Sequence, residues 1–303
     1  MKDKEANRRV VVTGGCGFIG THLVRYLASR NYEVIVIDNM STGIASRNEE
    51  LISGGVIKVF EVDVCDKTAI KNLFKEIKPW AIAHLAAPIS VGESKSDPDK
   101  YFRTIVDGTY NVVAGAHESG ASRFLNLNSA AVYGRASTVP TPESYGASPN
   151  NPYGVAKWVG EQTAIHYCRI FGIGCISLRL MNLYGEYASA LFGLFVKQKK
   201  EGEKLTVTGD GSQLRDFTYV GDIAKAIELA LASELDGEVL NVGTGKPISV
   251  IEMARMFQAP IEFFVRHPDE PDIILGSIEK LKKLLPSALP ITRPEEIIPQ
   301  MWL

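Results

Sequence analysis

The chain has 303 residues, 45% of them apolar and 22% charged, and its 33 basic and 35 acidic side chains give a formal charge of −2. That composition supports a substantial core in one large or two moderate domains, and it excludes collagen-like, disordered and disulfide-scaffold classes. The near-neutral balance offers no basic excess for nucleic-acid binding, and no apolar run approaches the ~20 residues of a membrane helix.

The charged stretch 1–9 is unlike a secretory leader, so a cytoplasmic protein is expected. It leads into a β-branched run, Arg9 to Thr13, then glycines, then a helical pattern through Phe18, Ile19, Leu23, Val24 and Leu27. Residues 34–38 and 56–62 read as the second and third strands, and 69–77 as a helix closed by Pro79. Fourth, fifth and sixth strands follow at 80–85, 124–127 and 174–180. Apolar runs separated by helices predict an α/β fold with a doubly wound parallel sheet of Rossmann type. After Asn182 the rhythm loosens: a helix at 190–200, a strand at 205–208 and a Gly-Asp-Gly turn at 209–211. A helix at 222–232, a strand at 239–242 and a helix at 249–257 complete a smaller α/β lobe. The expected division is a cofactor domain, 1–182, and a substrate lobe, 183–303, with parts such as 216–245 packing back on the first. Cys16, Cys65, Cys168 and Cys175 have neither disulfide nor zinc-type spacing and are expected to be buried thiols, with no metal bound.

Gly14, Gly17 and Gly20 lie in Thr13-Gly14-Gly15-Cys16-Gly17-Phe18-Ile19-Gly20, between the first strand and the first helix. Such a loop lets the backbone approach a pyrophosphate, and the helix N-terminus supplies free N–H groups. Asp38 ends the second strand, where a carboxylate binds the adenosine ribose hydroxyls and repels a 2′-phosphate, so NAD is expected over NADP. Asp63 fits either the adenine or a helix N-cap. Tyr153 and Lys157, spaced i, i+4, share one helix face after Pro152, and Ser129 ends the fifth strand. A phenol near an ammonium and a positive nicotinamide is expected to have a lowered pKa and to act as a base, with Ser129 bonding the same substrate oxygen.

With Asp38-Asn39-Met40-Ser41-Thr42-Gly43, His84-Leu85-Ala86-Ala87, Ser129 to Gly134, Asn151-Pro152-Tyr153 and Gly209 to Phe217, the chain resembles an extended short-chain dehydrogenase/reductase. Within that group it is similar to the NAD-dependent sugar-nucleotide epimerases, UDP-glucose (UDP-galactose) 4-epimerases among them. The resemblance implies cofactor contacts from Phe18, Ile19, Asn39, Ser41, Thr42, Gly43, Asp63, Val64, Leu85, Ala86 and Ala87. It implies substrate contacts from Ser129, Tyr133, Asn182, Arg215 and either Arg266 or His267, a UDP-sugar substrate and a homodimer. The chemistry implied is transient oxidation at C4: Tyr153 takes the hydroxyl proton while NAD takes the hydride, which returns to the other face of the sugar. Related dehydratases carry an acid just before Val-Tyr-Gly, where this chain has Ala131. A 4-keto-sugar reductase and a non-catalytic dinucleotide sensor are the alternatives. For Arg215 the alternative is a surface pair with Asp216, and for Tyr133 a place in the core. Departures from the family pattern are Ile89, Ile105, Leu127-Asn128, Asp272 and a short segment at 186–190. The dimer helices would be 99–117 and 152–171, with Val112, Val113, Trp158 and Ile165 facing either the partner or the sheet.

Overall fold

Residues 8–266 and 270–302 are described in a computed structural model; His267, one of the two expected phosphate contacts, lies outside them. The β-branched runs form β1 (Arg9–Thr13), β2 (Glu33–Asp38), β3 (Ile57–Glu61), β4 (Ala81–His84), β5 (Arg123–Ser129) and β6 (Gly174–Leu180). With Glu238–Val242 they make a seven-stranded sheet in the order β3-β2-β1-β4-β5-β6-(238–242), parallel throughout. Each central strand is buried along almost its whole length, which is why the sequence shows continuous apolar runs rather than alternation. One face packs on α1 (Phe18–Ser29) and the helix Val220–Ala232, through Leu23, Val24, Leu27, Ile223 and Ile227. The other packs on α2 (Lys67–Ile77), α3 (Gly108–Ser119) and α4 (Pro152–Phe171), through Ile70, Phe74, Val112, Val113 and Ile165. Val112, Val113 and Ile165 therefore belong to the sheet packing, whereas Trp158 is 40% exposed.

Residues beyond 182 serve two cores. Val220–Ala232 and Glu238–Val242 join the large sheet, with Leu240 beside Leu178 of β6. Tyr184, Phe192, Phe195, Val207, Met253 and Phe257 build a separate aromatic-rich core. β5 runs two residues past its expected end because Asn126 and Asn128, which interrupt the apolar pattern, are bonded beneath α4. The cap of α2 is Asp66, whose carboxylate accepts the Ala69 N–H at 3.0 Å, so Asp63 is not that cap. Three of the four cysteines are buried and Cys65 is only half-buried. Burial, aided by Asp38, pushes the Cys16 thiol up to about 11. Among the described residues no helix is long and apolar enough to cross a membrane.

Candidate active site

The glycine loop is fixed from beneath by polar groups. Thr13 Oγ1 accepts the N–H groups of Leu85 and Ala86 and lies 2.8 Å from His84 Nδ1. The other ring nitrogen of His84 meets Thr109 Oγ1 at 3.0 Å. Complete burial, with Lys157 adding repulsion, pushes His84 down to about 3, so it is a neutral brace between β1, β4 and α3. The brace brings the loop after β1 against the loop after β4. Gly14 has φ +70°, and a Cβ there would sit 2.9 Å from the Ala86 backbone. α1 starts behind Gly17, a cap with no side-chain oxygen for the first-turn N–H groups at Phe18 and Ile19.

Asp38 is 7% exposed at the end of β2, accepting the N–H of Cys16 at 3.0 Å and of Met40 at 2.9 Å. A carboxylate has further lone pairs for two ribose hydroxyls. The loop through Ser41, Thr42 and Gly43 closes on it: a Cβ at Gly43 would lie 2.7 Å from Asp38 Oδ1, and Ile44 N–H donates to Cys16 O. Asn39 accepts the Ser41 N–H and donates to Asp63 Oδ2 at 3.0 Å. Burial raises the Asp63 carboxyl, but hydrogen bonds from the Cys65 amide and Asn39 outweigh it and hold the group below its usual range. Val64 is buried, and its carbonyl accepts from Asn111. An uncapped helix N-terminus for phosphates and an acid ending the neighbouring strand fit a dinucleotide with a free 2′-hydroxyl.

The second cluster sits at the start of α4, which is capped by Asn151 Oδ1 accepting the Gly154 N–H at 2.9 Å. Tyr153 and Lys157 are 8% exposed each. Lys157 Nζ donates to Leu127 O at 2.8 Å, at the end of β5. Ser129 Oγ accepts the Ala131 N–H at 3.2 Å and starts the turn Ala130–Tyr133. The lowering expected for the Tyr153 phenol counted the nicotinamide charge as well as Lys157; the protein's own groups act the other way. Burial raises the phenol above its ordinary value, and the hydrogen bond from the Ser129 hydroxyl only partly opposes this. Burial likewise pushes Lys157 down to about 8, against the pull of Glu161. Ile105, in a π-helical turn Arg103–Asp107, packs with Tyr101, Tyr153 and Ala156, making that wall of the site apolar.

The expected substrate residues divide. Tyr133 is 3% exposed, its hydroxyl donating to Asn241 Oδ1 at 2.7 Å and its ring under the Arg179 guanidinium, a core placement. Arg215 is also buried and pairs with Glu270 at 3.0 Å; Asp216 instead accepts from Thr244 and Gly245. Arg266 is paired to Asp272 at 2.7 Å, and with Arg135, Glu270 and Ile273 it lines a cavity of about 450 Å³. Asn182 begins a short strand beside Phe217, its N–H donating to Asp216 O. The segment at 186–190 is tied to the cofactor side: His22 donates to Glu186 O, and Arg25 and Arg47 lie over the Tyr187 ring. Sequence reasoning missed the supporting residues Thr13, Thr109, Asn128, Glu161 and Asp216. Only Asn128, alternating with Leu127 and Leu125, interrupts an apolar run; the others carry no such mark and are unreadable until their partners across the fold are known.

The chain resembles known proteins along most of its length. The family model described as NAD dependent epimerase/dehydratase family matches residues 10–243. A UDP-glucose 4-epimerase of Rhizobium meliloti is 32% identical over 268 residues, covering 82% of this chain and 80% of the relative. The structure of a UDP-glucose 4-epimerase from Thermotoga maritima with UDP-glucose superposes with a TM-score of 0.89 at 28% identity, over 96% of each chain. A Thermus thermophilus UDP-glucose 4-epimerase in complex with NAD gives 0.85 at 29% identity, again over 96% of each. The family match over residues 10–243 and the relatives along most of the chain make the assignment: the chain belongs to the NAD dependent epimerase/dehydratase family, within the extended short-chain dehydrogenases/reductases, and its cofactor is NAD.

Proposed function

We propose that the protein is a nucleotide-sugar 4-epimerase acting on UDP-sugars of the UDP-glucose/UDP-galactose type. The observation that carries this reading is the wall beside Tyr153: Ala131 packs there with Tyr101, Ile105 and Ala156, so the site has a base but no acid where elimination of water would need one. Ser129, Tyr153 and Lys157 are the reacting set. Tyr153 Oη takes the proton of the sugar 4-hydroxyl and returns it, Ser129 Oγ hydrogen-bonds the same oxygen, and Lys157 supplies the positive charge that favours phenolate. Bound NAD supplies a reversible hydride acceptor. Gly14, Gly17, Asp38 and the 39–43 loop hold it; Arg266, Arg215 and Asn182 face the nucleotide diphosphate, the two arginines exchanging carboxylate for phosphate as partner. In this reading 1–182 is the cofactor unit and 183–303 the substrate unit, with segments within 216–245 packed back on the cofactor unit.

The test is incubation of the purified protein with UDP-, GDP-, CDP- and dTDP-sugars, without added cofactor, followed by NMR. A 4-epimer from a UDP-sugar supports the reading. Turnover that appears only with added NAD(P)H replaces it with a 4-keto-sugar reductase.

A further inference from the structure

The face of α4 that carries Tyr153 and Lys157 continues to Glu161 at the same four-residue spacing. Glu161 is 0% exposed, yet its carboxylate meets four donors from two strands. Asn128 Nδ2 lies at 2.6 Å and Ser177 Oγ at 2.9 Å; Arg179 reaches it through Nε at 3.1 Å and through Nη2. The register explains the convergence: Asn128 on β5 is paired with Arg179 on β6, and Asn126 with Ser177. Arg179 alone would neutralise a buried carboxylate. The other contacts lead to the reaction centre. Asn128 Oδ1 accepts the backbone N–H of Ser129 at 2.9 Å, and the neighbouring Leu127 carbonyl takes the Lys157 ammonium.

We infer that Glu161 is a positioning residue for the reaction, balancing the Lys157 ammonium from one turn behind and fixing Ser129 through Asn128. This rests on the reading of Ser129, Tyr153 and Lys157 given above. Desolvation works against the charged form of Lys157, and Glu161 is the charge that opposes it. The other titratable groups turned to this corner are accounted for. His84 on β4 is neutral, Arg179 on β6 is paired to Glu161 itself, and the Tyr133 hydroxyl is bonded to Asn241. Tyr153 lies on α4, and Tyr101 meets its ring edge-on and donates to Glu93.

The experiment follows the Lys157 Nζ signal by 15N-lysine NMR in the NAD-loaded protein, the signal being assigned by its loss in Lys157→Met. In Glu161→Gln the midpoint is expected about one pH unit or more lower, and the alkaline limb of turnover shifts with it, about tenfold lower rate at a fixed pH on that limb. Glu161→Asp keeps the charge and shortens the reach, so the midpoint stays near wild type while kcat falls through Ser129. Should Glu161→Gln strand Arg179 and fail to fold, Glu161→Gln/Arg179→Met removes both buried charges, with a smaller downward midpoint shift expected because losing the Arg179 cation offsets part of losing the anion. An unchanged midpoint accompanied only by a lower Tm would overturn the inference. A shifted midpoint in a protein whose wild type turns over no nucleotide sugar would leave the electrostatic role standing and remove the functional reading instead.

Discussion

Two residues illustrate how burial sets chemistry here. Tyr153 is a phenol raised by desolvation, so its usefulness as a base depends on positive charge delivered beside it. Tyr153→Phe is expected to cut turnover by about 10²–10⁴-fold, the range for a general base, while the NAD content of the purified protein stays unchanged. Near-normal turnover would end the base assignment. His84 shows the opposite use of burial, an imidazole kept neutral between two threonines. Its folded pKa of about 3 lies below the ordinary imidazole value of 6.5, so its contribution is complete above pH 6.5 and is lost as the pH falls towards 3. Across that window this one group costs about 1.4 kcal/mol per pH unit. Urea denaturation at pH 6.5 and 5 should show a steeper loss for wild type than for His84→Gln, by about 2 kcal/mol. Equal slopes would mean the imidazole takes up its proton as readily in the folded protein as in the unfolded chain.

At the level of elements, the N-terminus of α4, which carries the proposed reacting pair Tyr153 and Lys157, is pinned in three ways. Asn151 caps it, Pro152 starts it, and Gly154 lets it touch the turn after β5. A Cβ at Gly154 would come within 2.7 Å of the Ala131 carbonyl, so either the helix or the turn must retreat. Gly154→Ala is therefore expected to cost more in kcat than in stability. Helix propensity favours Ala by up to about 1 kcal/mol, offsetting part of the clash, while Tyr153 moves relative to Ser129. The check is kcat and Tm on the same preparation; an unchanged kcat would show that the contact does not set the geometry. Much of this element was legible beforehand. Pro152 announced the start of the helix, and the i, i+4 spacing announced that Tyr153 and Lys157 share one face. Asn128 was not legible as a support, because an isolated Asn in a strand acquires meaning only from Glu161, a distant residue brought under it by the β5–β6 register.

At the scale of the whole molecule, the outward face of α4 sets apolar side chains among the exposed His166 and Arg169: Val155 is 40%, Trp158 40% and Ile170 71% exposed, with Phe102 nearby in sequence to α3 at 47%. Burying several such side chains against a second copy would contribute about 1.5–3 kcal/mol each. We therefore expect a homodimer through this face. Sedimentation velocity should give a dimer for wild type and a monomer for Trp158→Glu; a wild-type monomer at micromolar concentration would remove the proposal.

By itself the sequence determined the parallel sheet, the family and its NAD cofactor. Each rests on local pattern: β-branched runs, glycines where backbone must approach a ligand, an acid at a strand end. Tertiary structure alone decided what the polar residues do. Arg215 pairs with Glu270 rather than Asp216, Tyr133 turns inward to Asn241, and Asp66 rather than Asp63 caps α2. Asp63 instead binds Asn39 beside Asp38, and Glu161 gathers two strands behind Lys157. Hydrophobic burial leaves a periodic trace that can be read one segment at a time. A buried polar group is satisfied by a partner that the chain path alone brings near, 55 residues away for Arg215 and 108 for Tyr133.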